Sequence, residues 1–143
     1  MTVVPADDRI QDCVSIRTHV FVEEQGVPEE LEVDSRDEEG SGCMHFLMLD
    51  GEGVPFGTFR AYFEDPVTVH LQRFCILKDM RGRGFGREAF EFAVRYFKAL
   101  GAEKITFGAQ VSAMGFYEKV GCAAVSDLFM DAGIPHRTME KAL

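Results

Sequence analysis

The residues with the clearest chemical potential are Arg81-Gly82-Arg83-Gly84-Phe85-Gly86, followed by Arg87. They lie between an apolar run, Leu71 to Leu77, that reads as a strand and a segment, Arg87 to Leu100, that reads as a helix. Ala89, Phe90, Ala93, Val94, Phe97 and Leu100 fall on one side of that helix. A glycine-rich turn between strand and helix presents main-chain N–H groups with no intrahelical partner, and the helix dipole adds positive potential there. Phosphate is the natural ligand of such a turn. Three arginines within seven residues reverse the sign of a chain whose net charge is -9. The spacing matches neither the G-x-G-x-x-G dinucleotide fingerprint nor the nucleotide P-loop, which needs a Lys followed by Ser or Thr. On these residues alone, a basic turn that only caps a helix is the competing explanation.

The surrounding elements must place this loop. The chain has 143 residues, 46% of them hydrophobic and 27% charged, as expected for one domain, 1–143, around one core. No apolar run is long enough to span a membrane and no leader pattern is visible, so a cytoplasmic location without membrane contact is expected. The acidic balance argues against a general nucleic-acid binder. Cys13, Cys43, Cys75 and Cys122 form no C-x-x-C pair, so buried free thiols and no metal site are expected. Asp7 or Asp8 is expected to cap a first helix with Ile10, Cys13, Val14, Val20 and Phe21 inward. A polar, acidic loop follows to about Gly42. Strands are predicted at Cys43 to Asp50, Val54 to Phe63, from Val67, at Lys104 to Ala109, Cys122 to Met130 and Arg137 to Leu143. Gly101 should end the long helix, and Ser112 should cap a short one through Lys119. An antiparallel meander followed by a β-α-β unit gives an α/β fold of α+β type, a mixed sheet with helices packed on it.

These residues carry a family resemblance. Arg81 to Gly86 is similar to the Q/R-x-x-G-x-G/A motif of the GNAT N-acetyltransferase superfamily. Gln110 through Tyr117, with Gly121, resembles its second landmark, N-x-x-A-x-x-F-Y-x-x-x-G, with Gln110 in place of Asn. Val20 to Pro28, then Glu32, Asp34 and Asp37, then Gly133 to His136 further resemble a small bacterial subgroup. The resemblance implies an acyl-CoA N-acyltransferase fold whose fourth and fifth strands splay apart, with acetyl-coenzyme A as acyl donor. It implies that Arg81, Gly82, Arg83, Gly84, Phe85, Gly86 and Arg87 wrap the pyrophosphate. Phe74, Cys75 and Ile76 would pair through their backbones with the pantetheine arm, which Gln110 would also reach.

The same resemblance assigns Tyr117 as the acid that protonates departing thiolate. It places His70 where several members carry a base, eleven residues before the motif's first residue, and the ordinary pKa of His suits that task. Period-2 alternation puts His70 on the same side as Gln72 and Phe74. His45 and His136 are further base candidates, whereas His19 reads as an exposed helix residue. Phe90, Phe92, Phe97, Phe107 and Phe129 read as core. Glu23, Glu24, Glu29, Glu30, Glu32, Asp34, Asp37, Glu38 and Glu39 form the most acidic stretch. Over a cleft it would draw in a small cationic amine; on open surface it would simply be solvated. Asp34 and Asp37 are the members expected to point inward and bind that acceptor. Arg17, Phe21, Asp34, Asp37, Arg60 and Arg73-Phe74-Cys75 also resemble acyl-homoserine-lactone synthases, which share this fold. A non-catalytic acyl-CoA-binding protein is a third possibility, and the superfamily resemblance allows a homodimer through the terminal strands.

Overall fold

The computed structural model describes residues 1–143. Its frame is a sheet of eight strands: β1 (Thr2–Pro5), β2 (Met44–Leu49), β3 (Pro55–Asp65), β4 (Thr68–Ile76), β5 (Lys104–Gln110), β6 (Ala123–Ala124), β7 (Phe129–Asp131) and β8 (Ile134–Ala142). Their order is β1-β2-β3-β4-β5-β8-β6, and β7 also pairs with β8. Every pairing is antiparallel except that of β4 with β5, which α3 (Phe85–Ala99) joins as a crossover. This is the mixed, mostly antiparallel sheet that the sequence predicts. β1 escapes the sequence pattern because its four residues are too few to show an alternation. No helix is long and apolar enough to cross a membrane.

Helices cover both faces. α3 buries Ala89, Phe90, Ala93 and Phe97 in a cluster with Phe46, Phe59, Ala61, Val69 and Leu71. Leu100 is 54% exposed because the helix has already ended, and Gly101 at φ 96° supplies the left-handed turn that stops it. On the opposite face α1 (Ile10–Arg17) places Cys13 and Ile16 in a second cluster with Leu47 and Cys75. Val14 of α1 is half-buried, and the helix then widens into a π-helical stretch, Thr18–Glu24, which buries Val20 but leaves Phe21 half-buried. Neither Asp7 nor Asp8 caps α1. Its N-cap is Arg9, and Asp7 accepts the His45 N–H at 2.8 Å, tying the helix entry to β2. Ser112 is not a cap either: α4 (Met114–Lys119) starts from Ala113 after a 3-10 turn. Cys122 to Met130 yields only the short β6 and part of β7.

Two bulges set which residues face which side. Between Thr58 and Arg60 β3 advances two residues, while β4 advances three, from Cys75 to Gln72. The extra residue leaves Arg73 at φ 55°, in the left-handed region. Gln72 therefore meets Arg60 on the α1 side, whereas Phe74 turns to the α3 side and stacks on Phe59 at 5.7 Å. The expectation that His70, Gln72 and Phe74 share one side is thus corrected, because plain alternation carries no sign of a bulge. The second bulge, between Phe63 and Asp65, inserts Glu64 beside His70.

The acidic stretch is folded, not a loose loop. α2 (Glu29–Glu32) and a 3-10 turn, Ser35–Asp37, lay it onto the α1 side of the sheet. Arg17 donates to Glu32 at 2.9 Å and to both oxygens of Asp37 at 2.5 and 3.0 Å. Arg60 grips Asp34 with two bonds of 2.8 Å and reaches Asp37 at 3.0 Å. Arg73 Nε lies 2.8 Å from Glu32. Three positive charges thus face three negative ones, with Arg17, Glu32 and Arg60 no more than 2% exposed. Burial alone would raise the Asp37 carboxyl, but the Arg17 hydrogen bonds, the Asp34 N–H and the charges of Arg17 and Arg60 hold it at about 2. A depressed carboxylate stabilises the fold above the ordinary carboxylate range, and that stability is lost as pH falls through about 2. Asp37→Asn leaves two buried guanidinium groups short of a charge partner and should cost about 3–5 kcal/mol at pH 7. Urea unfolding should show this cost, and the gap to the unsubstituted protein should narrow as pH drops from about 4 toward 2.

Candidate functional site

The sheet opens where β4 and β5 part. They pair at Thr68, Val69 and His70, opposite Lys104, Ile105 and Thr106, and no further. From Leu71 to Ile76 the β5 side of β4 has no strand partner, while β5 continues on β8 to Gln110. This gives the splayed fourth and fifth strands of the sequence expectation. Parted strands leave main-chain groups ready for an extended ligand that carries amides.

The glycine loop stands at the open end of this gap. Gly86 packs there: a Cβ would come within 3.4 Å of Phe116 and 3.5 Å of Ile76. Gly82 and Gly84 have φ of 76° and 82°, a conformation that costs other residues steric strain. Gly84 is the N-cap of α3 and offers no side-chain cap. None of the main-chain N–H groups of Gly82, Arg83, Gly84, Phe85, Gly86 and Arg87 donates to a main-chain acceptor. Six unclaimed donors at the positive end of a four-turn helix fit a diphosphate. The arginines differ from one another. Arg81 donates to Ile76 O at 2.8 Å and clasps Glu24 at 2.9 and 3.0 Å, so it ties the loop to the π-helical stretch. That clasp also lowers the Glu24 carboxyl. Arg87 pairs with Glu91 one turn on, whereas Arg83 has no carboxylate partner.

Tyr117 lies on α4 within an aromatic nest, its ring 4.5 Å from Phe107, 5.0 Å from Phe116 and 6.4 Å from Phe74. Burial pushes its phenol well above the usual value, so the ring keeps its proton at neutral pH. Its hydroxyl donates to no protein group, which leaves that proton for a ligand. Cys75 is buried on the other, α1 side of β4 with Cys13 and Leu47, and burial likewise raises its thiol; a thiol that stays protonated is a poor nucleophile.

His70 occupies the last rung before the strands part, on the α1 side. Its Nδ1 lies 2.9 Å from Glu64 Oε1, and its ring is 5.3 Å from that of Tyr62. Burial lowers its pKa from the ordinary 6.5, partly opposed by Glu64, while Arg36 and Arg60 lower it further. The ring is therefore neutral near pH 7. With Nδ1–H facing the carboxylate, Nε2 is left with a lone pair. Glu64 is the partner that sequence reasoning missed, since only the bulge brings a residue of that turn beside His70. The other histidines are placed differently. His45 is 1% exposed, with Nε2 at 3.0 Å from Arg36 O, and so is out of reach of a substrate. His136 is buried, holds Ile134 O through Nδ1 at 2.7 Å and stacks on Phe129. Phe129 itself is 37% exposed rather than core. His19 is exposed, as expected, and contacts Glu23 at 2.6 Å. Gln110 donates to Gln25 at 2.8 Å. No group of three or more His, Cys, Asp or Glu is placed to hold a metal ion.

The acetyltransferase (GNAT) domain model matches residues 10–143. The chain belongs to this family. GNAT relatives of similar length exist in Bacillus subtilis. One, described as a candidate acetyltransferase, is 37% identical over 138 residues, covering 96% of this chain and 92% of its own. Another, the uncharacterized N-acetyltransferase YjcF, is 35% identical over 136 residues, covering 94% of each. A crystal structure of a candidate N-acetyltransferase from Lactobacillus plantarum superposes with a TM-score of 0.91 at 24% identity, covering 99% of this chain and 97% of that one. The GNAT fold is thus the acyl-CoA fold, and the open strand edge and free N–H groups suit coenzyme A.

Gly84→Val forces a β-branched residue to φ 82° at the N-cap of α3. The unliganded variant should melt a few degrees lower. The rise in Tm that coenzyme A gives the unsubstituted protein should fall by more than half in a thermal-shift series.

Proposed function

We propose that this protein transfers the acetyl group of acetyl-coenzyme A to a primary amine. The observation that carries this reading is the pairing of a phosphate-ready loop with a parted strand edge, with His70 at one end of the gap and Tyr117 packed against a residue of each parted strand, Phe74 and Phe107. The N–H groups of Gly82 to Arg87 would hold the diphosphate, with Arg83 as the uncommitted cation; Arg81 acts chiefly as a brace. The backbones of Phe74, Cys75 and Ile76 would align the pantetheine arm, and Gln110 would join by exchanging Gln25 for an amide of that arm. Acetyl-coenzyme A supplies an acetyl group already activated as a thioester. Asp34 and Asp37, whose charges are matched by Arg60 and Arg17, serve on this reading to hold the loop in place rather than to bind the amine directly.

Two proton movements fall to the protein. An ammonium must become an amine before its nitrogen can bond to the acyl carbon, and His70 Nε2 takes the proton that is shed. As the carbon–sulfur bond breaks, Tyr117 supplies a proton to the sulfur. The products are an amide and free thiol, and solvent restores both side chains. Holding Tyr117 neutral and His70 unprotonated near pH 7 places one acid and one base in opposite, useful states. The direct test is thiol release from acetyl-coenzyme A in the presence of a panel of primary amines. Release that depends on amine supports the proposal, and its absence across the panel overturns it.

Tyr117→Phe removes only the proton donor. It should lower kcat by about 10²-fold or more while leaving coenzyme A affinity within about twofold, as steady-state kinetics and calorimetry would read. His70→Gln cannot accept a proton. In the unsubstituted enzyme kcat/KM should fall as pH drops through a value below 6.5, where His70 becomes charged. The variant should be slow at neutral pH and lack that limb, recovering in part at high pH as free amine accumulates. An unchanged rate and limb would make His70 structural.

A further inference from the structure

Each arginine of the buried cluster on the α1 side has a carboxylate partner, and one arginine beside that cluster has none. Arg17, Arg60 and Arg73 each face Glu32, Asp34 or Asp37. Arg36, half-buried in the middle of the Ser35–Asp37 turn, pairs with no carboxylate. Its guanidinium carbon lies 3.8 Å from the centre of the Tyr62 ring. None of the guanidinium N–H groups donates to a protein acceptor, so the fork that grips a carboxylate with two parallel bonds is free.

The turn that carries Arg36 is firmly built. Asp34 caps it by accepting the Arg36 N–H at 3.0 Å, Asp37 anchors it to Arg17 and Arg60, and His45 contacts Arg36 O from β2. All of these contacts involve the backbone of residue 36 or other side chains, so the Arg36 side chain is not needed to hold the turn. Tyr62 links this cation to the base. Its ring is 5.3 Å from that of His70, so the guanidinium is no more than about 9 Å from the imidazole. The charge of Arg36 already bears on His70, helping to keep it neutral.

We propose that Arg36 binds the carboxylate of the acceptor, and that the acceptor is a free α-amino acid acetylated on its α-amine. This rests on the acetyltransfer reading above and names the substrate class of the same site. In an amino acid the amine and carboxylate oxygens are about 3 Å apart, and with a hydrogen bond of about 3 Å at each end it can bridge groups up to about 9 Å apart, the upper limit of the His70–Arg36 separation. His70 Nε2 meets the amine while Glu64 holds the ring through Nδ1, and Arg36 meets the carboxylate. The site is thus polarised to match a zwitterion, which has no net charge for a chain of net charge -9 to repel. Asp34 and Asp37 are taken by arginines and so are not free to hold a simple cation.

The test is thiol release from acetyl-coenzyme A with matched trios of acceptors: L-leucine, L-phenylalanine, L-methionine and L-lysine, each beside its carboxamide and its decarboxylated amine. The carboxamide also stands for a peptide N-terminus. At least one amino acid should exceed both of its analogues in kcat/KM by about tenfold or more, the worth of a charge-assisted pair. Compared at about pH 8, where His70 is neutral with or without the Arg36 charge, Arg36→Gln should remove that preference for the amino acid while changing kcat/KM for the decarboxylated amine less than threefold, and Arg36→Lys should restore part of it. The Tm of Arg36→Gln and its coenzyme A response should match the unsubstituted protein. Amines or carboxamides turned over as well as their amino acids overturn this inference alone. A preference that survives in Arg36→Gln overturns it too, since another group then reads the carboxylate. No release with any member of the panel overturns the inference together with the acetyltransfer reading.

Discussion

The arrangement rests on the largely buried ion cluster of Arg17, Glu32, Asp37 and Arg60, closed at its outer edge by Asp34 and Arg73. Charges removed from water are tolerable only when each finds its partners, and the partners here come from α1, the acidic stretch, β3 and β4. The cluster is therefore less a source of stability than a constraint on registry. An acidic segment with few apolar anchors can lie over the sheet in one way only, the one that matches all six charges. That placement sets the Ser35–Asp37 turn beside Tyr62 and fixes the wall of the cleft next to His70. It also gives a structural role to residues whose pattern resembles acyl-homoserine-lactone synthases: Arg17, Asp34, Asp37, Arg60 and Arg73 all belong to the cluster, so here they hold the frame.

The bulges translate this frame into a site. With Arg73 at positive φ, β4 shows Gln72 to the ion cluster and Phe74 to the aromatic nest around Tyr117. One residue further along, Cys75 returns to the α1 side and packs with Cys13 and Leu47. The same disturbance comes where β4 has lost β5, so the strand offers its backbone edge to a ligand while its side chains brace both faces. Arg81 then locks the glycine loop to the π-helical stretch through Glu24, and that stretch reaches Gln110 through Gln25.

What the sequence showed was whatever is encoded locally. The glycine loop, the one-sided pattern of α3 and the Gln110–Gly121 motif each lie within a short window, and their glycines mark backbone that must turn. The bulge between Thr58 and Arg60 and the ion cluster depend on partners 12 to 26 residues away in sequence, and neither they nor the π-helical stretch nor the second bulge leave a signal in simple alternation. A clue did exist: Arg17 follows buried Ile16, and Arg60 stands between buried Phe59 and Ala61. Charges embedded among core residues imply buried partners, and the acidic stretch was the obvious supply. Phe129 misleads in the opposite way, since an aromatic in an apolar run need not be core when its strand is three residues long.

A crystal structure of the protein with coenzyme A tests the central claim most directly, because the claim concerns where a ligand sits. The account predicts diphosphate oxygens within hydrogen-bond distance of the N–H groups of Gly82 to Arg87, with the arm along Phe74 to Ile76 and its sulfur beside the Tyr117 hydroxyl. Coenzyme A bound away from the gap between β4 and β5, or with its sulfur remote from both Tyr117 and His70, would contradict it.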